Sequence, residues 1–218
     1  MEAGSLADIW LMRHAHYEGH IPGHHAYPDA PLSTEGRAQA RRAACSLPNG
    51  IDSVLTSTMP RARETAEIIC QHTGLPLTTA TVTFAEWRAP SFVIGRGPSD
   101  YPLAYCTWRG QRLTRPDLRC NDGETLVEVH QRAREGATLL ELAAQRSGVL
   151  LISHTIFLGM LIRLHEGPSA FGRAVAQRWA FAEPRRAPTP LSATADERRP
   201  GNSLDMHTAQ HDESTQPS

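Results

Sequence analysis

The chain has 218 residues, 40% of them hydrophobic, which is enough for one packed core and excludes a wholly disordered chain. Its 22 basic and 23 acidic residues leave a formal net charge of −1, so a global electrostatic footprint for nucleic acid is absent. All 22 basic residues are arginine, which excludes both a Schiff-base lysine and a P-loop lysine.

The cysteines and the apolar windows constrain the compartment. The four cysteines are widely spaced and form no Cys-x-x-Cys pair, which argues against a zinc knuckle and a disulfide scaffold. The first residues lack a basic segment followed by a long apolar stretch, and no window approaches the roughly 20 apolar residues that span a bilayer. We therefore expect a soluble, cytoplasmic protein with neither a membrane nor a nucleic-acid partner.

Short apolar runs alternate with segments of helical period, which is typical of an α/β architecture with a mostly parallel sheet. In chain order, the elements predicted up to residue 84 are a strand at 9–12, a polar loop to 31, a helix from an N-cap at Ser33 or Thr34 to about 47, a strand at 51–56, a helix at 60–72 closed by Gly74, and a strand at 78–84.

The second half of the chain begins with a segment rich in proline and glycine. We expect 86–123 to be irregular and to cover an active site. A long amphipathic helix at about 124–146, a strand at 149–153 and a buried helix at 156–164 are then predicted. The composition changes at Pro184, so we predict a domain at 1–183 and a disordered tail at 184–218.

Two predicted strands end in a histidine. The strand at 9–12 leads into Arg13 and His14, and the strand at 149–153 leads into His154. Ligands of open α/β sheets bind at the carboxyl ends of the strands, so both histidines are candidates for one pocket. Taken singly, each histidine is better explained as a core histidine with satisfied hydrogen bonds.

Several motifs occur together and in order. They are LMRHA at 11–15, PLSTEGRAQA at 31–40, LTSTMPRARETAEII at 55–69, a glutamate at 86, GETLVEVHQRA at 123–133 and LLISHT at 150–155. This set resembles the histidine phosphatase superfamily, in its phosphoglycerate-mutase-like branch, over about residues 1–165. The resemblance implies a three-layer sandwich with a mostly parallel central sheet flanked by helices.

The resemblance also implies roles for five residues. His14 would be the nucleophile that forms a phosphohistidine. Arg13, Arg61 and His154 would surround the phosphoryl oxygens, over which phosphoryl transfer spreads negative charge. Glu86 would protonate the leaving oxygen and then activate water. The scheme requires no metal and no cofactor, and its substrate is a small-molecule phosphate ester.

Two further regions are open to alternatives. His16, His20 and His24 recur every four residues and would share the face of a helix as zinc ligands, but Gly19, Pro22 and Gly23 disfavour a helix, so a mobile loop beside the phosphate pocket is favoured. Six arginines between 88 and 119, interleaved with aromatic residues, fit either a substrate-recognising cap or a solvated face.

Two positions depart from the common pattern of this family, since Ala15 and Thr155 stand where glycine is frequent. A side chain there would narrow the pocket. The favoured function is a metal-independent phosphomonoesterase. A phosphoglycerate-type mutase and a non-catalytic phosphate-binding regulatory module remain alternatives. His154 lies 68 positions after Glu86, an interval too short for the larger insertion of sugar-acid mutases. The sequence does not indicate the oligomeric state.

Overall fold

The computed structural model describes residues 6–188 and 190–191 of the chain. The strands of this part form one five-stranded sheet in the order β3-β2-β4-β1-β5, and only the pair β1–β5 is antiparallel. The strands are β1 Ile9–Arg13, β2 Ser53–Ser57, β3 Leu77–Thr81, β4 Val149–Ser153 and β5 Pro184–Arg186.

Helices cover both faces of the sheet. They are α1 Thr34–Ala44, α2 Pro60–Thr73, α3 Leu103–Gln111, α4 Leu126–Ala144, α5 Thr155–Leu161 and α6 Phe171–Ala176. None of these helices, within the described part of the chain, is both long and apolar enough to cross a bilayer.

The central strand β4 shows why three layers form. All five of its residues are buried, which a strand achieves only when both faces of the sheet are covered. Leu150 and Ile152 join the core that includes residues of α1 and α2, whereas Val149 and Leu151 join the core that includes α4, α5 and α6. The predicted three-layer sandwich is therefore confirmed.

The helix ends follow the expected capping chemistry. The Ser33 hydroxyl accepts a hydrogen bond from the Gly36 N–H at 3.0 Å, so Ser33 rather than Thr34 is the N-cap of α1. Pro60 opens α2, and Gly74 ends it with φ +77°, a conformation that favours glycine. Thr125 and Glu128 form a reciprocal capping box at the start of α4.

Two predictions about irregular and extended segments are wrong. The third strand ends at Thr81 instead of residue 84, because the Thr81 hydroxyl accepts from the Thr83 N–H and turns the chain into a 3₁₀ turn. The segment 86–123, predicted to be irregular, contains α3. This helix forms because its Tyr105 and Trp108 side chains are buried against other aromatic rings.

The predicted start of a disordered tail at residue 184 is also wrong. Residues 184–186 form β5 on the edge of the sheet, and the Ala187 N–H donates to the Ile9 carbonyl at 2.8 Å. An edge strand needs partners on one side only, so its composition resembles that of a loop. Residues 192–218 of the predicted tail lie outside the described residues. Helix α6 was not predicted.

Candidate active site

His14 lies directly after β1, at the carboxyl edge of the sheet, and is 3% exposed. Its Nδ1–H donates to the Ala15 carbonyl at 2.8 Å, and its Nε2 accepts from Arg61 Nε–H at 3.1 Å. These two hydrogen bonds agree on one assignment: a neutral ring with its lone pair on Nε2. Burial, together with the charges of Arg61 and Arg13, holds the pKa of His14 well below its usual value of 6.5.

Arg61, on the first turn of α2, is the most heavily engaged cation of the site. It is 3% exposed, and its Nη1 donates to the carbonyls of Tyr27 and Pro28, both at 3.2 Å. Its guanidinium carbon lies 5.2 Å from the centre of the Tyr17 ring. Arg61 is therefore held by the loop that follows β1 and is directed at His14.

Arg13, the last residue of β1, reaches the site from the other side. Its Nη1 donates to the Trp179 carbonyl at 3.0 Å, and its guanidinium carbon lies 3.8 Å over the Phe181 ring. Its Nε is buried and has no protein partner. The stacked ring fixes the plane of the guanidinium and leaves this donor without an acceptor.

His154 follows β4 and is fully buried, with its ring centre 5.0 Å from that of His14. Its Nε2 lies 2.9 Å from the Ser57 hydroxyl, which already accepts from the Met59 N–H. Because a hydroxyl has two acceptor lone pairs, Ser57 can either donate to Nε2 or accept from it, and the Nδ1 of His154 is buried without a hydrogen-bond partner. Burial and the nearby Arg61 lower the pKa of His154, so this ring is also neutral.

Glu86 approaches the same edge from the loop after β3. Its carboxylate accepts from the backbone N–H groups of Trp87, Ile156 and Phe157 at 3.0, 3.1 and 2.9 Å. Two of these donors belong to the first turn of α5, where backbone N–H groups have no partner within the helix. Burial lowers the pKa of Arg13 and of Arg61, and the nearby Glu86 carboxylate opposes this lowering in part.

The structure brings the five predicted site residues together. Arg13, His14, Arg61 and Glu86 line one cavity of ≈ 1080 Å³, and His154 lies in contact with the His14 ring. Three partners were missed by sequence reasoning: Ser57, Tyr17 and the Glu124–Arg132 ion pair. Ser57 ends β2 at the same edge, so the strand-end argument that found the two histidines would also have found it.

The Glu124–Arg132 pair lies behind Glu86. Arg132 Nη2 is 2.7 Å from Glu124, and Arg132 also donates to the carbonyls of Thr83, Ala85 and Glu86. One side chain thus fixes the backbone that carries Glu86. Both residues belong to the motif at 123–133. The sequence of this motif did not indicate their role, because the carbonyls that Arg132 contacts lie about 50 residues away.

Residues 14–31, here called the histidine loop, contain no helix. His16 pairs with Ser33 and His20 with the Tyr17 hydroxyl, at 2.8 and 3.0 Å, so these rings do not share one helical face. Within the described residues, no group of three or more histidine, cysteine or acidic side chains is placed to hold a metal ion.

Ala15 and Thr155 fit without strain where glycine is frequent. Asn121 and Ala182 are the non-glycine residues with positive φ in the described part of the chain, so neither Ala15 nor Thr155 needs glycine's conformational freedom. The Ala15 N–H donates to the Thr65 hydroxyl at 3.1 Å, and Thr155 begins α5 and lines the cavity. Both positions support the site.

Comparison with known proteins identifies the family. The model of the histidine phosphatase superfamily (branch 1) matches residues 9–182. Proteins named "Probable phosphoglycerate mutase GpmB" from Salmonella arizonae and Klebsiella pneumoniae are 32% and 31% identical. They cover 72% and 76% of this chain, and 74% and 78% of their own. The chain belongs to this superfamily of phosphatases and mutases.

Solved structures share the fold. The α-ribazole phosphatase from Shigella flexneri superimposes with a TM-score of 0.65 at 22% identity and covers 81% of this chain and 88% of its own. A mycobacterial glucosyl-3-phosphoglycerate phosphatase gives a TM-score of 0.64 at 20% identity, covering 83% and 90%. At these identities the likeness establishes the architecture alone.

Proposed function

We propose that the protein is a metal-independent phosphomonoesterase that acts through a phosphohistidine on a small phosphorylated metabolite. The observation that carries this proposal is the neutral His14 ring, whose Nε2 lone pair accepts from Arg61 and whose centre lies 5.0 Å from that of the His154 ring. Family membership supports phosphoryl transfer as the reaction class.

In the first half-reaction, His14 Nε2 attacks phosphorus and the bond to the leaving oxygen breaks. Attack requires the Arg61 Nε–H, which occupies the Nε2 lone pair at 3.1 Å, to pass to a phosphoryl oxygen. Arg13 Nε, which is buried and unpartnered, supplies a further donor for the charge that spreads over the phosphoryl oxygens, and the His154 ring borders the same oxygens. Glu86, which first takes up a proton from solvent, gives that proton to the leaving oxygen.

In the second half-reaction, water attacks the phosphohistidine. Glu86 takes a proton from this water, the bond between Nε2 and phosphorus breaks, and phosphate leaves. The three backbone N–H groups that hold the Glu86 carboxylate keep it in one place through both proton transfers. A pocket that admits the substrate also admits this water.

A mutase is the second candidate, because relatives that are 31–32% identical carry that name. A mutase and a phosphatase share the first half-reaction and differ in the acceptor, which is substrate hydroxyl in one and water in the other. The wide cavity, lined largely by apolar side chains such as Ile94, Ile156 and Val175, favours a phosphatase for esters larger than a sugar acid.

Two assays test the proposal together. Release of inorganic phosphate from an aryl phosphate should be catalysed by the wild type and lost in His14→Ala, by about 10⁴-fold or more, since the nucleophile is removed. From phosphoglycerate, the enzyme should form inorganic phosphate faster than it forms the positional isomer of phosphoglycerate. The isomer as main product would identify a mutase, and no turnover of either substrate would reject phosphoryl-transfer catalysis.

A further inference from the structure

His25 is the point at which the histidine loop is joined to the cover segment, the name used here for residues 86–123. The His25 N–H donates to the Arg96 carbonyl at 3.0 Å, and the Gly95 N–H donates to the His25 carbonyl at 2.8 Å. On the side-chain side, His25 Nε2 lies 3.0 Å from the Tyr105 hydroxyl on α3. Backbone and side chain together fix this residue to the cover segment.

Two glycines let the loop lie directly on the cover segment. A Cβ added at Gly95, where φ is +75°, would lie 2.6 Å from the Tyr27 hydroxyl. A Cβ added at Gly97 would lie 2.6 Å from the His24 ring. The side chains of Tyr27 and His24 therefore pack directly against the backbone of Gly95 and Gly97, where a larger residue would clash.

The contacts continue from His25 to the nucleophile. Tyr27 and Pro28, two and three residues after His25, accept the two hydrogen bonds from Arg61 Nη1 at 3.2 Å. Arg61 Nε in turn donates to His14 Nε2. The position of these two carbonyls sets the position of the guanidinium, because both bond the same nitrogen.

We propose that His25 is a positioning residue for phosphoryl transfer: by bonding Tyr105 it holds the histidine loop where Tyr27 and Pro28 fix Arg61 against His14. This role rests on the proposed function of His14 and Arg61. His25 acts through Arg61, without contact to the reacting atoms.

The surroundings of the His25 ring keep it in the form that this role needs. The titratable and charged groups that face it are His24 on its own loop, and Tyr101, Tyr105, Arg109 and Arg112 on the cover segment. Burial, followed by the charges of Arg109 and Arg112, lowers the pKa of His25 to about 4. A neutral ring accepts the Tyr105 O–H, whereas a protonated ring would repel both arginines.

The test uses two variants of the full-length protein and a matched control. His25→Gln and Tyr105→Phe each weaken the hydrogen bond between the histidine loop and the cover segment. The control, His72→Gln, replaces an exposed histidine near the end of α2 by the same residue. We expect kcat/KM for an aryl phosphate to fall about tenfold in both variants, the effect of one lost hydrogen bond, and to stay at the wild-type value in His72→Gln.

A double-mutant cycle separates positioning from a general loss of structure. On an Arg61→Gln background, adding His25→Gln should change kcat/KM less than about twofold, because the residue through which His25 acts is already gone. An independent tenfold loss on that background, or wild-type kinetics in both single variants, would overturn the proposal.

A spectroscopic measurement tests the same chain of contacts without turnover. The ¹⁵N resonance of His14 Nε2 should shift in His25→Gln and Tyr105→Phe and stay in place in His72→Gln, because the Arg61 N–H that it accepts has moved. An unshifted resonance in both variants would overturn the positioning role. If the wild type has no turnover, the assay rejects the proposed function. The resonance then still shows whether His25 positions Arg61 against His14.

Discussion

The phosphate-facing wall of the pocket and its cover are built in different ways. Arg13, Ser57 and His154 stand at or directly after the ends of β1, β2 and β4, whose parallel registers place them at one edge. The cover segment, in contrast, is held by an aromatic stack in which the Trp87 and Trp108 rings lie 5.7 Å apart, and by contacts to the histidine loop. The first region is fixed by the sheet, and the second by side-chain packing and a few backbone hydrogen bonds to neighbouring loops.

This difference predicts that the two regions have different functions. A sheet edge allows little change without loss of the core, which suits the groups that contact the phosphoryl group and are common to all its substrates. A segment held by side chains tolerates exchange of individual contacts, which suits recognition of the variable part of a substrate.

Arg61→Ala should lower kcat/KM for every phosphate ester by about 10²- to 10³-fold, because one preorganised donor to the developing charge is lost. Steady-state kinetics on an aryl and an alkyl phosphate measures this. Arg63→Ala is the matched control, since Arg63 lies two residues along the same helix, exposed and paired with Glu67. Equal losses in the two variants would show that Arg61 serves the helix and not the site.

The same arginine should control the acid limb of activity. The charge of Arg61 helps to lower the pKa of His14, and attack requires the unprotonated ring. Removing the guanidinium in Arg61→Gln therefore raises the pKa of His14 and moves the acid limb of the kcat/KM profile to higher pH. Measuring the residual kcat/KM of this variant from pH 4 to 8 locates the acid limb. A limb that stays in place would mean that another group titrates.

Glu124→Gln should lower the free energy of unfolding by about 3 kcal/mol, the usual effect of leaving one partner of a buried ion pair unpaired. Arg132 would lose its carboxylate partner while still bonded to the carbonyls under Glu86. Urea denaturation measures the loss. Glu67→Gln, which breaks an exposed pair, should change the free energy by less than about 0.5 kcal/mol. An equally small change in Glu124→Gln would show that the Glu124–Arg132 pair does not stabilise the fold.

His25 should make the cover sensitive to acid. Its pKa is lowered to about 4 in the folded protein, so the unfolded chain takes up the proton first as pH falls from 6.5. The stability that the neutral ring contributes is thus complete above pH 6.5 and is lost towards pH 4, by about 2 kcal/mol for a partly exposed group. The difference in unfolding free energy between wild type and His25→Gln should shrink over this range, and a constant difference would contradict it.

Tyr101→Ala should alter selectivity more than rate. Tyr101 lines the cavity and carries Arg109 at 5.2 Å from its ring centre. We expect kcat/KM for an aryl phosphate to fall about fivefold, through loss of aromatic contact, with a short alkyl phosphate unchanged. Equal losses for both substrates would place Tyr101 with the groups that bind phosphate.

The same contrast explains what the sequence could predict. The strands β1, β2 and β4 are short, apolar and bounded by turn residues, so local pattern located them. Four of the five predicted site residues lie at or shortly after the ends of these strands, and Glu86 follows β3. The helix α3 was missed because the prolines and glycines of its segment, such as Pro98, Pro102 and Gly110, are typical of a loop. Its Trp108 ring stacks on that of Trp87, which lies outside the helix and packs on Phe171, a residue distant in sequence. The strand β5 was missed because its pairing with β1 spans more than 170 residues.

Partners of the site residues were also beyond local pattern. The carbonyls of Tyr27 and Pro28 are backbone atoms, which any residue provides, so no side-chain motif marks them as the ligands of Arg61. The Ser57–His154 contact joins residues 97 positions apart, and its chemistry emerges only once β2 and β4 are adjacent. Sequence located the charged groups, and the fold supplied what orients them.

The most direct test of the phosphohistidine route is intact mass spectrometry after rapid quenching of the enzyme with an aryl phosphate. The account predicts a transient gain of one phosphoryl group that is stable to base and labile to acid, localised to His14, and absent in His14→Ala. Phosphate release by the wild type without such an intermediate, or with the phosphoryl group on another residue, would contradict it.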